Sequence, residues 1–552
     1  MSRFVDTLVG TATGPAGRER AIVTGEPADP RRTTWAEVHD RARRIGGALV
    51  ERGVRPGSAV AVLAAAPLAI ASAAQAAWLV GGSVTMLHQP TPRTDLATWA
   101  GDTLRVLDMI GARLVLLGSP FDGLAGVLDE HGIAYRAVEG LAGEPIGAAA
   151  EVGENDVALL QLTSGSTAEP KAVQITHANL LANMTGMLDA AKLDPERDVM
   201  VSWLPLFHDM GMVGFLTLPM TFGVELVKVA PADFLRGPLL WPELITKYRG
   251  TVTAAPNFAY AIVGKRLARA EPDAGYDLSA LRIALNGAEP IDPQAVATFT
   301  EAGARFGLRP EAVLCAYGMA ECTLGVTFAP LDTGIVTDVV DAEELELRRR
   351  AVPAAAGTAT RAFPLLGRPL NGIEVRVVGE DGRVLGEREV GRLALRGSSV
   401  SPGYLTVDGP VSTRDADGWL DTGDLGYLVG DQVVVCGRIK DVIIMGGRNI
   451  YPTDIERAAC SVDGVRAGNA VAVRIDAGTR RERFAVVVES ASAGDERAEV
   501  ALRKAVTARV MDAVDARPAA VVVLPPGSLP KTPSGKLRRA AAGERVAERI
   551  NA

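Results

Sequence analysis

The sequence predicts an α/β protein, with a large N-terminal domain of parallel or mixed sheets flanked by helices and a small α+β domain at the C-terminal end. Short apolar runs alternate with helix-length segments through most of the chain, which is the pattern of parallel sheets with helices on their faces. From about Gly372 the texture changes to hairpins, and residues beyond Gly437 form a stretch the size of a small domain. At 552 residues two or more domains are expected.

Composition narrows the function classes. Lysine and arginine number 58 against 66 aspartate and glutamate, a net charge of −8, which excludes a polybasic nucleic-acid or membrane-surface binder. With 48% hydrophobic and 22% charged residues, the chain can bury a large core. Cys315, Cys322, Cys436 and Cys460 show no CxxC spacing, and the five histidines form no HExxH pair. Neither a disulfide framework nor a structural zinc is indicated, and a reducing, cytoplasmic setting is the expectation. No export signal is visible at the N-terminus.

No charge occurs from Pro56 through Pro92, a stretch long enough to cross a bilayer. Pro67, Ser72, Gln75 and the pair Gly81-Gly82 divide it, so it reads as strand 59–65, helix 69–80 and strand 83–87 of a buried βαβ unit, with no membrane span. Further strands are read at 113–117, 157–162, 224–229, 252–255 and 281–285. Residues 375–378 and 391–396, joined through the turn at 380–383, read as a hairpin, and 425–436 as another. In the last part 469–475 and 484–489 read as paired strands, 495–514 as a helix and 519–524 as a final strand. There are no internal repeats. Lysine is scarce, nine against 49 arginines, and none precedes Lys171.

The sharpest chemical signal is Leu162-Thr163-Ser164-Gly165-Ser166-Thr167-Ala168-Glu169-Pro170-Lys171, directly after a strand. Small hydroxyl residues around a glycine let backbone N–H groups and hydroxyls approach phosphate oxygens, and the lysine supplies a cation. It is not the GxxxxGK[ST] loop of P-loop NTPases, because Lys171 follows a proline and no Ser or Thr succeeds it. An isolated match of this kind is as often an ordinary polar loop. Here it is followed by Asn286-Gly287-Ala288-Glu289-Pro290, Tyr317-Gly318-Met319-Ala320-Glu321, Asp421-Thr422-Gly423-Asp424, Gly437-Arg438-Ile439-Lys440-Asp441, Gly446-Gly447-Arg448-Asn449 and Pro530-Lys531-Thr532-Pro533-Ser534-Gly535-Lys536.

In this order and spacing the blocks resemble the adenylate-forming superfamily along nearly the whole chain. Within it, Ser202-Trp203-Leu204-Pro205-Leu206-Phe207-His208-Asp209-Met210-Gly211, the run Asp233 to Arg236, the block Ala255 to Tyr260 and the block Gly447 to Glu456 are similar to fatty-acyl-AMP ligases. The run Thr85 to Asp95 resembles the actinobacterial subgroup found in isonitrile lipopeptide gene clusters.

The resemblance implies a domain at 1–436 that includes a distorted β-barrel subdomain, and a mobile domain at 437–552 that pivots near Lys440. It implies that a fatty acid and ATP, with Mg²⁺, give acyl-AMP and pyrophosphate, and that the acyl group then passes to the phosphopantetheine thiol of an acyl carrier protein. A carboxylate is a poor electrophile, so AMP is installed as a leaving group, and cations must bring two anions together. By this resemblance Lys536 bridges the carboxylate and the α-phosphate. Thr163, Ser164, Gly165, Ser166, Thr167 and Lys171 hold the triphosphate, and Glu321 with Thr167 holds Mg²⁺. Gly287, Ala288, Glu289, Tyr317, Gly318, Met319 and Ala320 line the adenine site, while Asp424 and Arg438 take the ribose. His208 gates the acyl site, whose walls are Met210, Met212, Phe215, Asn257 and Phe258. Gly447 borders the path of the thiol.

Two departures from the pattern stand out. Ala168 replaces a glycine of the phosphate loop and is followed by Glu169, a carboxylate beside phosphate. Residues 327–366 make a long connection, roughly where fatty-acyl-AMP ligases carry an insertion linked to rejection of coenzyme A. Arg438, Lys440, Arg448, Arg538 and Arg539 are candidates for docking an acidic carrier if they face the thiol entrance. The nearest rival is an acyl-CoA ligase of the same fold. An aryl- or amino-acid-adenylating enzyme is disfavoured, because amino-acid-activating relatives place the amine-binding Asp where His208 stands, although Asp209 is adjacent. A noncatalytic sensor is disfavoured by the intact Lys536, Glu321 and Asp424.

Overall fold

Apolar residues with nothing to separate into faces fold where both faces are covered. The charge-free stretch does this: strands Ala59–Leu63 and Ser83–Met86 pair in parallel around helix Pro67–Leu79. The helix is buried almost all round, and the Trp78 indole donates to the Ala158 carbonyl at 2.8 Å. The computed structural model describes residues 2–91, 94–163, 169–445, 447–479, 481–531 and 537–543. Among the described residues no helix is long and apolar enough to cross a membrane.

The chain packs as two units, one of Met1–Ile335, Gly367–Glu374 and Arg396–Leu420, the other of Val336–Leu366, Val375–Leu395 and Asp421–Ala552. This grouping differs from the expected division at 436/437 in placing 336–366, 375–395 and 421–436 with the C-terminal residues.

The first unit holds two large sheets. In the eight-stranded one the order is Gly409–Ser412, Gly403–Thr406, Lys171–Thr176, Val157–Leu162, Ser83–Met86, Ala59–Leu63, Ala112–Leu117 and Tyr135–Ala137. Its last five strands are parallel, and Lys171–Thr176 turns antiparallel to both neighbours. The nine-stranded sheet has a parallel centre of Val313–Gly318, Ile283–Asn286, Val252–Ala255, Val199–Ser202, Glu225–Lys228 and Ala21–Thr24. Strands at 157–162 and 252–255 lie where the sequence predicts them, and the one read at 281–285 shifts to Ile283–Asn286.

The second unit begins with residues read as a long connection. They form an antiparallel pair, Thr337–Asp341 with Thr360–Pro364, around helix Ala342–Arg348. The helix starts because the Asp341 carboxylate accepts from the Glu343 and Glu344 N–H groups at 2.9 and 3.0 Å. Val340, Leu345 and Phe363 share one core with Leu425, Tyr427, Val434, Cys436, Val442 and Tyr451. The sequence pattern missed this element because its strands are short and Val339, within the first of them, is an exposed apolar side chain that breaks the alternation, as Val336 and Val352 do outside the strands. The adjoining four-stranded sheet orders Ile373–Val378, Gly391–Gly397, Leu420–Val429 and Gln432–Arg438. In the C-terminal part Ala470–Ile475 and Arg483–Glu489 are antiparallel, Ala520–Leu524 joins in parallel, and helix Glu496–Val514 packs against them.

Charge ties the 336–366 segment to the C-terminal strands. Glu346, 3% exposed at its side chain, accepts from Arg361 at 2.7 Å and from Arg448 at 2.7 Å, and Arg361 lies 3.0 Å from Asp454. Asn449 donates to the Glu346 carbonyl at 2.9 Å. Removing one partner of a buried pair strands the other charge. Glu346→Ala should therefore cost about 3 kcal/mol in denaturant unfolding; a change within about 0.5 kcal/mol would show the network to be solvated.

Candidate active site

The pairing of Val157–Leu162 with Lys171–Thr176 brings the ends of the expected phosphate loop together, with Leu162 opposite Ala172 and the Thr163 N–H donating to the Lys171 carbonyl at 3.3 Å. The Thr163 hydroxyl is buried without a partner among the described residues, as a group awaiting a polar ligand would be. Ser164, Gly165, Ser166, Thr167 and Ala168 lie outside the described residues, as do Gly446 and Lys536.

Lys171 does not point freely into solvent. Its ammonium sits 4.0 Å from the centroid of the Tyr404 ring, and the Tyr404 hydroxyl donates to Glu321 Oε1. Glu321 lies in the short turn Ala320–Cys322, which is docked at both ends: the Ser401 N–H donates to the Glu321 carbonyl at 2.8 Å, and the Thr323 hydroxyl donates to the Ser399 carbonyl at 2.8 Å.

The expected adenine residues lie on the adjoining parallel strands. Glu289 accepts from the Phe258 N–H at 2.6 Å and so anchors the first turn of helix Asn257–Leu267. Asn257 accepts from the Asn286 amide and the Asp292 N–H, both at 3.1 Å, joining that helix start to the loop through Gly287, Ala288 and Glu289. Ala288 adopts a left-handed φ of 69°, a strained conformation of the kind concentrated at functional sites. Tyr317 ends strand Val313–Gly318 half-buried, its hydroxyl 3.7 Å from the Met319 sulfur. Gly318 is required here, because a Cβ would stand 2.4 Å from the Leu324 carbonyl oxygen.

The histidine loop is clamped from several sides. Gln161 donates to the Phe207 carbonyl at 2.9 Å, and Lys228 donates to the Leu204 carbonyl at 2.6 Å. His208 Nδ1 lies 2.6 Å from Asp209 Oδ1, which also accepts the Met210 N–H at 2.7 Å. The Met210 N–H also lies 3.3 Å from His208 Nδ1. His88 packs edge-on to Phe207 with centroids 5.8 Å apart, and burial first, then nearby His208, push its pKa down to about 4. Met210, Met212 and Phe215 are buried in the wide-turned helix Met210–Thr217, while Asn257 and Phe258 are half-buried.

The second unit carries the expected ribose residues. Asp424, 5% exposed at its side chain, pairs with Arg438 at 2.8 Å across neighbouring strands. Thr422 holds both, accepting the Asp424 N–H at 3.0 Å on its hydroxyl and Arg438 at 3.1 Å on its carbonyl. Gly447 is exposed with φ 82° and open space where a Cβ would be. Besides Arg438, two more of the candidate docking arginines are engaged internally: Arg448 with Glu346, and Arg539 with Glu456 at 2.7 Å and Asp441 at 3.1 Å.

Sequence reading did not single out Tyr404, Gln161 or Lys228. No motif marks them, since their partners lie far along the chain; Lys228 alone had a signal, as one of nine lysines and the last residue of an apolar strand.

The family model for AMP-binding enzymes matches residues 11–405. The chain belongs to this family. It is 57% identical over 544 residues, 98% of this chain and 99% of the other, to Rv1013 of Mycobacterium tuberculosis, which is described no more closely than as a ligase. It is 34% identical over 409 residues, 70% of this chain and 69% of the other, to the long-chain-fatty-acid–AMP ligase FadD26 of Mycobacterium marinum. A solved structure from work on fatty acyl-adenylate ligases of E. coli and L. pneumophila covers 100% of this chain and 98% of its own at TM-score 0.90 and 31% identity. The span of the AMP-binding match takes in Lys171, His208, Glu321 and Tyr404 and ends before Asp424 and Arg438.

Lys228 is a fully buried lysine, which is unusual in a protein core. Burial lowers its pKa to about 7, with Asp233 opposing the shift. Between that value and the ordinary lysine range the unfolded chain binds more protons, so stability rises with pH there. The stability gap between wild type and Lys228→Met should accordingly change between pH 7 and pH 10, in favour of wild type as pH rises. The limiting slope is about 1.4 kcal/mol per pH unit in urea titrations, and a pH-independent gap would mean the amine is unperturbed.

Proposed function

We propose that the chain activates a fatty acid with ATP, giving acyl-AMP and pyrophosphate, and then transfers the acyl group to the phosphopantetheine thiol of an acyl carrier protein, in lipopeptide-type biosynthesis in the cytoplasm. The observation that carries the reading is the junction of Lys171, Tyr404 and Glu321 at the foot of the Thr163–Lys171 loop. It sets a cation and a carboxylate beside a loop of the kind that takes phosphates. FadD26, named for the same first step, supports the fatty acid as substrate.

In the first step a carboxylate oxygen of the acid attacks the α-phosphorus, and the bond to pyrophosphate breaks. Lys171 offsets charge on the phosphates, and Lys536 is assigned to the bridge between the carboxylate and the α-phosphate. Among the described residues no three His, Cys, Asp or Glu side chains converge, so Glu321 would contribute a single carboxylate, and Thr167 is assigned as a further oxygen donor. That donor set fits Mg²⁺, which is held by one or two carboxylates together with substrate phosphates and water. When bound, the ion neutralises phosphate charge. His208 orders the mouth of the acyl site, and Asp424 with Arg438 takes the ribose hydroxyls.

In the second step the thiol attacks the acyl carbon and AMP leaves. The C-terminal domain from 437 turns about Lys440 between the steps, bringing Gly447 to the thiol path. An α-amino acid is disfavoured as substrate, because Asp209 is already engaged by His208 and by the Met210 N–H.

Incubation with ATP, Mg²⁺ and acids of increasing chain length, without thiol, with coenzyme A or with holo carrier protein, tests the proposal. Acyl-AMP without thiol and transfer to the carrier alone are expected; efficient acyl-CoA formation would reassign the second step, and no adenylate with any acid would overturn the first. In single-turnover assays Lys536→Ala should slow adenylation by at least about a hundredfold. Gly447→Val, strained by its φ of 82°, should slow transfer more than adenylation, and the reverse ordering of these two variants would refute the assigned roles.

A further inference from the structure

We infer that Tyr404 is a positioning residue for adenylation, its hydroxyl orienting Glu321 toward the metal–phosphate complex and its ring seating Lys171. The inference rests on the adenylation reading and adds to it a residue with no other assigned role.

The geometry comes from the sheet. Tyr404 stands opposite Val173 in the antiparallel pairing of Gly403–Thr406 with Lys171–Thr176, so Lys171 is its diagonal neighbour on the same face, within reach of a long side chain. The ammonium at 4.0 Å from the ring centroid is in cation–π range. From the far end of the same ring the hydroxyl donates to Glu321 Oε1. One aromatic side chain thus spans the base of the phosphate loop and the candidate metal carboxylate. Engaging Oε1 restrains rotation of the carboxylate and leaves Oε2 as the oxygen to meet a cation.

The position of Tyr404 is over-determined, as a positioning role requires. Asn179 donates to the Ser398 and Val400 carbonyls at 2.7 and 3.1 Å, and Arg414 donates to the Ser401 carbonyl at 2.8 Å. Gln174 donates to the Tyr404 carbonyl at 3.2 Å. At Gly403 any Cβ would stand 2.0 Å from the Val411 carbonyl oxygen, so the chain next to Tyr404 admits no other residue in this arrangement. Thr323 and Ser401 bind the Glu321 turn to this same segment. Donor and acceptor therefore ride on one rigid frame, and their contact needs no rearrangement when nucleotide arrives.

The test uses the full-length chain, α,β-methylene-ATP and calorimetry, with and without Mg²⁺, for wild type, Tyr404→Phe, Tyr404→Leu, Glu321→Gln and Tyr404→Phe/Glu321→Gln. Tyr404→Phe keeps the ring and should raise the Mg²⁺ needed for half-maximal tight binding about tenfold, the usual effect of losing a partner of a metal-site residue. Its affinity for the metal-free analogue should stay unchanged. Tyr404→Leu should weaken metal-free binding as well, because Lys171 loses its platform. In the Glu321→Gln background the Phe substitution should add nothing further, which identifies Glu321 as the route of the effect. An unchanged Mg²⁺ requirement in Tyr404→Phe, or equal loss with and without metal accompanied by a lowered melting temperature, would overturn the proposal. Wild-type pyrophosphate release with fatty acids is measured in parallel. Failure there would strike the adenylation reading, whereas normal release with an insensitive Tyr404→Phe would strike this inference alone.

Discussion

The antiparallel pairing of Val157–Leu162 with Lys171–Thr176 fixes the two ends of the loop assigned to the triphosphate, and the rest of the first unit's site is hung on that pair. The incoming strand carries Gln161, whose amide ties down the carbonyl of Phe207 and with it the loop bearing His208. The outgoing strand begins with Lys171, whose ammonium rests on Tyr404, and Tyr404 in turn reaches Glu321. Acyl-site loop, phosphate loop and candidate metal carboxylate are thereby referred to one hairpin. Bringing two anions together demands this rigidity, because a cation or donor acts on developing charge only if it is in place beforehand.

The second unit follows a different logic. Asp424 and Arg438 are set by strand pairing with Thr422 as a shared support. The 336–366 segment is locked to the C-terminal strands through buried charge around Glu346. A network of this kind adds little net stability over an apolar core, yet it penalises any arrangement that leaves one charge unpaired. It also changes the account of carrier docking, since Arg448 and Arg539 are engaged within the chain and Arg438 is paired with Asp424.

Much of the frame was legible because local patterning and tertiary structure agree. A continuous apolar run bounded by turn residues reads as a buried parallel strand, and 157–162 and 252–255 fold where that rule puts them. The charge-free helix was legible for the same reason, although Pro67, read as a break ahead of a helix starting at 69, is its first residue. Residues 327–366 were read only as a connection, since the core beneath them is completed by Tyr427, Val434 and Tyr451 from much later in the chain. At the site, residues in contiguous motifs are assigned through resemblance. Tyr404 and Lys228 were not legible, because what distinguishes them is a partner more than twenty residues away: Glu321 for the one and the Leu204 carbonyl for the other.

The central claim is that a carboxylate is activated through a mixed anhydride with AMP, and the most direct measurement follows the carboxylate oxygen. With a fatty acid labelled with ¹⁸O in its carboxylate, ATP and a thiol acceptor, mass spectrometry of the released nucleotide reads where that oxygen goes. The account predicts AMP carrying one labelled oxygen, left behind when the thiol displaces the adenylate. Unlabelled AMP, or ADP with label in inorganic phosphate, would contradict it.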